Sequence, residues 1–294
     1  MAARYPEAKV ERFVGSFASP PTLAGALDGV DVVYHLAASM GGAPADVFLN
    51  TVVASKNLLD AVVATGRRVK LVLVSSLGVC GVAGLPPGTV VDESTPLEEH
   101  PELRDVYSQA KLRQERLFRE YQARHGFPLV VMRPGVIYGP GGSRISARVG
   151  LDVAGVFFHL GGRNLLPLTY VDSCADAVAL AGQRELANGQ TYLVVDDEPI
   201  TAKEFLARYR REVQRIPVVP LPGPVLRLLS HAVLAYSRWS RGQLPPVLTP
   251  YKTATTWKPT RFSNVNLKAL GWQPLVSTNE GLRRAFDHYR SNPR

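Results

Sequence analysis

A chain of 294 residues can form one large domain or two modest ones around a buried core, and 46% hydrophobic with 20% charged residues is ordinary for a globular protein. Two cysteines, Cys80 and Cys174, exclude a disulfide framework and a cysteine metal site; a reducing cytoplasm fits best, and since the six histidines lack ligand spacing no metal is expected. The net charge of +9 is unevenly placed: residues 1–200 hold 18 Lys/Arg against 21 Asp/Glu, while residues 201–294 hold 16 against 4.

The C-terminal third is therefore expected to meet something anionic, such as a phosphorylated small molecule or an acidic membrane surface. Nucleic acid is not expected, because no recognition motif accompanies the charge. The N-terminus MAARYPEAKVERF has no apolar secretory segment, and no run is expected to cross a bilayer, since VLRLLSHAVLAY (225–236) is interrupted by Arg227 and His231.

In chain order, GVDVVYHLAA (29–38) and VKLVLVSSLGV (69–79) are rich in Val and Leu, as buried strands are. Between them DVFLNTVVASKNLLDAVVATG (46–66) has apolar residues at helical spacing and stops at Gly66. A second helix holds VYSQAKLRQE (106–115) and runs to His125, with Gly126 ending it before the strand FPLVVMRPGVIYG (127–139). A short strand (LPLTYV, 166–171), an alanine-rich helix (SCADAVALAG, 173–182) and another strand (QTYLVVDD, 190–197) follow. This alternation predicts an α/β fold with a doubly wound parallel sheet.

After Asp197 the character changes. TAKEFLARYRREV (201–213) is a basic helix, PVVPLPGP (217–224) is proline-rich punctuation, and two amphipathic helices follow at 225–240 and 279–290. The expected organisation is a nucleotide-binding unit over 1–142, onto which 166–197 packs back, and a smaller, mainly helical lobe over 143–294.

Tyr107 and Lys111 are one helical turn apart, so both side chains project from one face. A solvated helix face carries such a pair as readily as a catalytic one does, and the context decides. VSSLGVCG (74–81), YSQAK (107–111) and RPGVIYGPGG (133–142), with DVVYHLAA, YVDSCADAVALA and LGWQP, together resemble the extended short-chain dehydrogenase/reductase superfamily and its NAD-dependent epimerase/dehydratase branch.

The resemblance implies a Rossmann-like sheet, NAD or NADP as cofactor, and hydride transfer at a secondary alcohol or ketone. It makes Tyr107 the acid/base, Lys111 the cation that favours the phenolate and binds the nicotinamide ribose, and Ser76 the hydroxyl that holds the reacting oxygen. A free tyrosine titrates near ~10, so a neighbouring ammonium has a chemical purpose. The resemblance also places Ser16, Phe17, Leu36, Ala37, Ala38, Thr51, Pro134, Gly135 and Val136 along the cofactor. Cys80 stands in for the family's usual tyrosine and reads as a buried thiol of ordinary reactivity; Ser75 reads as satisfying backbone at the strand end, and Arg133 and Tyr138 as structural.

The family opens with a strand, a Gly-x-x-Gly-x-x-Gly turn and a helix that receives the pyrophosphate. No such element is legible here, and KVERFVGSF (9–17) matches the family's third strand, with Ser16 where an aspartate is usual. The expectation is an N-terminally truncated Rossmann-like unit that lacks the pyrophosphate cradle, binds dinucleotide negligibly and leaves 31–37 at an open, association-prone edge unless 9–15 caps it.

For the substrate, a nucleotide-sugar is taken first, gripped by Arg163 and Arg261, with Lys258 and Arg215 as further cations. A lipid or isoprenoid alcohol, as in the 3β-hydroxysteroid dehydrogenase branch, is the alternative, and a non-catalytic dinucleotide-sensing protein is a third. A homodimer and contact with a membrane surface are compatible with this reading.

Overall fold

The computed structural model describes residues 10–17, 21–240 and 248–292. At its centre four parallel strands lie in the order β1 (Val32–His35), β2 (Lys70–Val74), β3 (Leu129–Pro134) and β4 (Thr191–Val194). The register pairs His35 with Leu73, Val74 with Met132, and Val194 with Pro134, so β3 and β4 run two residues past the C-terminal end of β2. β3 is buried along its whole length and β2 nearly so, which is why both read as unbroken apolar runs.

Helices cover both faces. On one, Leu58, Leu59 and Val62 of α1 (Ala54–Ala64) meet Phe118 and Tyr121 of α2 (Val106–His125) over Leu71, Leu73 and Val131. On the other, Ala177, Val178 and Ala181 of α3 (Val171–Gln183) pack with Trp272 over Val72, Val130 and Met132. The sheet is doubly wound, as expected, and Gly126 stops α2 in the left-handed conformation that glycine adopts without steric cost.

Three expectations need correction. Residues 10–16 form no strand: Val14 is 81% exposed, and Ser16 bonds through both its N–H and its carbonyl to the Thr22 hydroxyl instead of to a ladder. Among the described residues nothing pairs with the outer edge of β1, so this segment has no cap on 31–37 to form.

Secondly, the helical stretch Pro44–Ala64 is long and apolar enough to cross a membrane by length and composition, with mean hydropathy 1.4. Its valines, leucines and alanines outnumber the few charges gathered on one side, and its inward face packs on the sheet, as a core helix does.

Thirdly, the C-terminal lobe is not only helical. A hairpin of Gly150–Val153 with Val156–His159 is extended by Val218–Pro220, inside the segment expected to be punctuation. Ala154 and Gly155 both take positive φ, as a two-residue hairpin turn demands, and an alanine there hides the signal that Asn-Gly would give. Against this sheet α4 (Ala202–Glu212) and the terminal helix Thr278–Ser291 bury Phe205, Leu206, Tyr209, Phe286 and Tyr289.

Candidate active site

Asp105 caps α2: its carboxylate accepts from the Ser108 backbone N–H at 2.9 Å and from the Ser108 hydroxyl at 2.7 Å. Tyr107 therefore sits in the first helical turn, beside the end of β2. There Ser76 is extended, caps the short turn Leu77–Val79 by accepting from the Gly78 N–H at 3.0 Å, and hydrogen-bonds the Tyr107 phenol. Any side chain at position 78 would crowd the Ser76 and Ser108 hydroxyls, each 3.2 Å from where its Cβ would lie. The chain ends β2 and starts α2 so that Ser76 and Tyr107 meet.

Lys111 is 2% exposed and donates to the Val74 carbonyl at 2.7 Å and to the Gln114 side-chain oxygen. Burial lowers its pKa to about 8, against the opposing pull of Glu115. The expected electrostatic help to Tyr107 is not what this arrangement shows. Burial raises the phenol's pKa, the Asp105 charge adds to that, and the Ser76 hydrogen bond opposes both. Lys111 is instead turned into a buried polar cluster, where its charge joins burial in holding His35 down to about 4.

That cluster was not foreseen. The Gln114 amide donates to Ser55 Oγ at 2.8 Å and lies 3.2 Å from His35 Nε2, which lies 2.9 Å from Ser55 Oγ. Ser55 in turn donates to the Thr51 carbonyl, and the Thr51 hydroxyl accepts from the Ser39 N–H at 3.0 Å. Thr51 sits on a π-turn (Leu49–Val53) that opens the helix at this point. The network thus runs from the end of β1 through the 51–55 turn to Lys111. A signal was present in the sequence: Gln114 is three residues beyond Lys111 and Ser55 four beyond Thr51, each on the same helix face as its partner.

The remaining cofactor candidates divide. Leu36, Ala37 and Ala38 leave the C-terminal end of β1, and the Ala37 carbonyl accepts from Gln114 at 3.3 Å. Pro134, Gly135 and Val136 leave the C-terminal end of β3, where a Cβ on Gly135 would lie 2.1 Å from the Pro167 carbonyl oxygen. Both segments line the crevice beyond the strand ends, where open α/β sheets bind ligands. Phe17 sets its ring edge-on to His35 at 5.8 Å, and its carbonyl accepts from Asn57; Ser16 beside it is exposed.

The two arginines expected on the substrate are not brought together. Arg163 is exposed on a cavity of about 540 Å³, whereas Arg261 is exposed on a two-residue strand paired with Val90. Lys258 spends its ammonium on the carbonyls of Val82, Ala83 and Leu85, and Arg215 is exposed after the end of α4.

Ser75 has a different task from the one expected. Its hydroxyl donates to Glu115 at 2.6 Å, and the same fully buried carboxylate takes a bidentate pair from Arg133 at 2.7 and 3.2 Å and a further bond from Arg119. Burial alone would raise the Glu115 pKa, but Arg133, Ser75 and Arg119 together hold it below the usual range. Cys80 is buried, and burial pushes its thiol up to about 11, which makes it a poor nucleophile. Tyr138 is held protonated by burial and by nearby Asp196, whose own carboxyl burial raises to about 6.

The Lys111 ammonium has three N–H bonds, of which Val74 and Gln114 take two, so one remains for a further acceptor. That donor and the Ser76–Tyr107 pair are the groups here that would hold a nicotinamide and its ribose. Among the described residues no glycine-rich turn opens a helix for the pyrophosphate.

The model of the NAD dependent epimerase/dehydratase family matches residues 3–194. The chain is similar to 3β-hydroxysteroid-dehydrogenase/decarboxylase isoform 2 of Arabidopsis thaliana, with 30% identity over 90% of this chain and 49% of that protein. It is also similar to the decarboxylating sterol-4-alpha-carboxylate 3-dehydrogenase of Candida albicans, with 28% identity over 95% of this chain and 83% of that one. The chain thus spans about half the length of the Arabidopsis relative.

Among solved structures, UDP-glucose 4-epimerase of Thermus thermophilus in complex with NAD superposes with a TM-score of 0.68 at 22% identity, covering 97% of this chain and 89% of that one. RMD of Pseudomonas aeruginosa, complexed with NADPH, gives 0.70 at 18%, covering 99% and 94%. These two share the fold. The chain belongs to the NAD dependent epimerase/dehydratase family.

Proposed function

We propose that this protein is an NAD(P)-dependent oxidoreductase acting on a secondary alcohol or ketone of an apolar, lipid-like substrate of the 3β-hydroxysteroid kind. A bound nicotinamide would supply the hydride acceptor. Tyr107 takes the proton of the substrate hydroxyl as the carbon gives up its hydride, and returns it in the reverse direction. Ser76, already bonded to the phenol, orients the substrate oxygen. Lys111 offers its remaining N–H to the ribose.

The observation that carries the substrate class is the cavity beside Arg163. Its walls include Leu160, Pro222, Leu226, Ala254 and Trp257, with Pro87 from the loop that runs on from Ser76. Apolar walls with a few polar groups suit a greasy ring system. A diphosphate needs convergent cations; Arg163, Arg227 and Lys258 line this cavity, but Lys258 is committed to three carbonyls, and Arg261 and Arg215 are not among its walls. The two sterol-related relatives support the same ranking, so the lipid alcohol stands ahead of the nucleotide-sugar that the sequence alone put first.

Absorbance at 340 nm with NAD or NADP and a 3β-hydroxysterol or a sterol 4-carboxylate tests this, beside chromatography of the UDP-sugars after incubation with UDP-glucose, whose epimerisation leaves the cofactor unchanged. Reduction of cofactor by the sterols and no conversion of UDP-glucose are expected. Turnover of UDP-glucose alone would return the nucleotide-sugar to first place.

A further inference from the structure

The helix α5 (Gly223–Trp239) is dressed the wrong way round for a helix on the outside of a globular lobe. It turns Leu226, Ser230 and Ser237 inward and leaves Leu228, Tyr236 and Trp239 outside, at 73%, 51% and 79% exposure. The exposed apolar residues are not scattered. Val225, Leu229, Ala232 and Tyr236 follow one another at helical spacing, and Leu228, Ala232 and Trp239 form the adjoining row. At about 100° per residue these rows merge into one stripe about 100° wide.

A third stripe holds Arg227, His231 and Arg238, all exposed, along the flank between the buried serines and the apolar stripe. The helix therefore has three faces: one small and polar against the lobe, one apolar to the outside, and one basic along the flank. Tyr236 and Trp239 pair their rings at 5.7 Å at its C-terminal end, where their apolar bodies and polar edges suit a headgroup layer. The N-terminal half of the same helix, through Leu226, Arg227, Ser230 and His231, also walls the cavity described above.

We infer that α5 is a membrane-docking helix, which lies in the interface of an anionic bilayer with Leu228, Leu229, Tyr236 and Trp239 in the acyl boundary and Arg227 and Arg238 at the phosphates. Charge selects this occupant. Residues 201–294 carry 16 Lys/Arg against 4 Asp/Glu, so two copies of this lobe brought face to face repel, whereas a phosphate-rich surface complements them. The proposal does not depend on the substrate reading, although a cavity walled by the docked helix would open close to the lipid.

Co-sedimentation with vesicles of phosphatidylcholine, alone or with one part in four of phosphatidylglycerol, tests it without reference to turnover. The protein is expected to bind the anionic vesicles, with a blue shift of tryptophan emission. Leu228→Glu with Trp239→Glu should lower partitioning about tenfold or more while leaving the circular-dichroism melt in place. Arg227→Gln with Arg238→Gln should weaken binding to the anionic vesicles about fivefold or more and leave binding to the neutral ones unchanged. Failure to sediment with either vesicle would overturn the proposal, as would equal binding by the double-glutamate variant. A wild-type dimer that this variant converts to monomer would assign the face to a second copy instead.

Discussion

Two helices of this molecule break the ordinary rule of polar outside and apolar inside, in opposite directions. α2 buries Lys111, Gln114 and Glu115, and α5 exposes Leu228, Tyr236 and Trp239. Each buried polar group on α2 has a named partner: Lys111 has Val74 and Gln114, Gln114 has Ser55 and His35, and Glu115 has Arg133, Arg119 and Ser75. Burying a charge costs several kcal/mol unless it is paired and bonded, so such a set persists only where the geometry satisfies it. On α5 the exposed side chains leave water unfavourably ordered around them, and no other part of the described fold removes them from it. Polar groups held inside prepare chemistry; apolar groups left outside await a partner.

The largest expected effect tests the first half of that contrast. Tyr107→Phe should lower turnover on the order of 10³-fold or more, while leaving cofactor affinity within about twofold, because only the proton's path is lost. Lys111→Met should lower turnover and weaken cofactor binding together, since one ammonium serves both. Steady-state kinetics with a fluorescence titration of cofactor separates the two. Equal turnover in wild type and Tyr107→Phe would show that the proton moves elsewhere.

Next in size is the buried ion pair. Glu115→Ala strands Arg133 without its carboxylate and should destabilise the fold by about 3–5 kcal/mol, read from urea unfolding. Replacing both partners, Glu115→Leu with Arg133→Met, should recover most of that, because the desolvation of both charges disappears with them. If the single variant costs less than about 1 kcal/mol, the pair is solvated and α2 buries less charge than its geometry indicates.

The buried histidine gives a pH signature. His35 is held at about 4 by burial and by Lys111, below the ordinary histidine value of about 6.5. The unfolded chain therefore takes up its proton first as pH falls. This contribution to stability is complete above about pH 6.5, is lost progressively down to about pH 4, and amounts to about 3 kcal/mol over that window. Asp196, raised to about 6, works in the opposite sense across the same range, so a single melting curve does not isolate either group. The difference between wild type and His35→Gln does, and a constant difference from pH 7.5 to 4.5 would refute the assignment.

Much of the frame was legible in the sequence, for physical reasons. Strands β2 and β3 are buried on both faces, so each is a continuous apolar run, and Gly126 marks the end of α2 by its positive φ. Ser76, Tyr107 and Lys111 stand out in the sequence because they lie in ordered motifs whose spacing survives in the linear chain. Gln114, Ser55 and His35 were passed over because each is ordinary alone, and only the fold closes them into one network. The hairpin at 150–159 was missed because Ala154 occupies a turn position that normally announces itself with Asn or Asp. Arg163 follows from its place near the family's diphosphate-gripping arginine and Arg261 from charge alone, and neither says where side chains converge.

The smallest expected effect sharpens the other half of the contrast. If the outer stripe of α5 serves no part of the fold, removing it should cost the fold almost nothing. Leu228→Ser and Trp239→Ser are each expected to change stability by no more than about 0.5 kcal/mol, since neither side chain gives up buried area. The inward face should behave oppositely. Ser230 and Ser237 are buried against the lobe, and the Ser230 hydroxyl donates to the Arg227 carbonyl at 2.7 Å. Ser237→Leu, away from the cavity, puts three extra carbons against the lobe and should cost about 1–3 kcal/mol, although leucine is the better helix former and the more apolar residue. On a conventional amphipathic helix the order is reversed, with leucine losses costly and serine-to-leucine changes mild. Thermal melts of the three single variants against wild type therefore report which way round α5 is dressed. A large loss from Leu228→Ser would mean that this residue is covered in solution and that the stripe is part of the core.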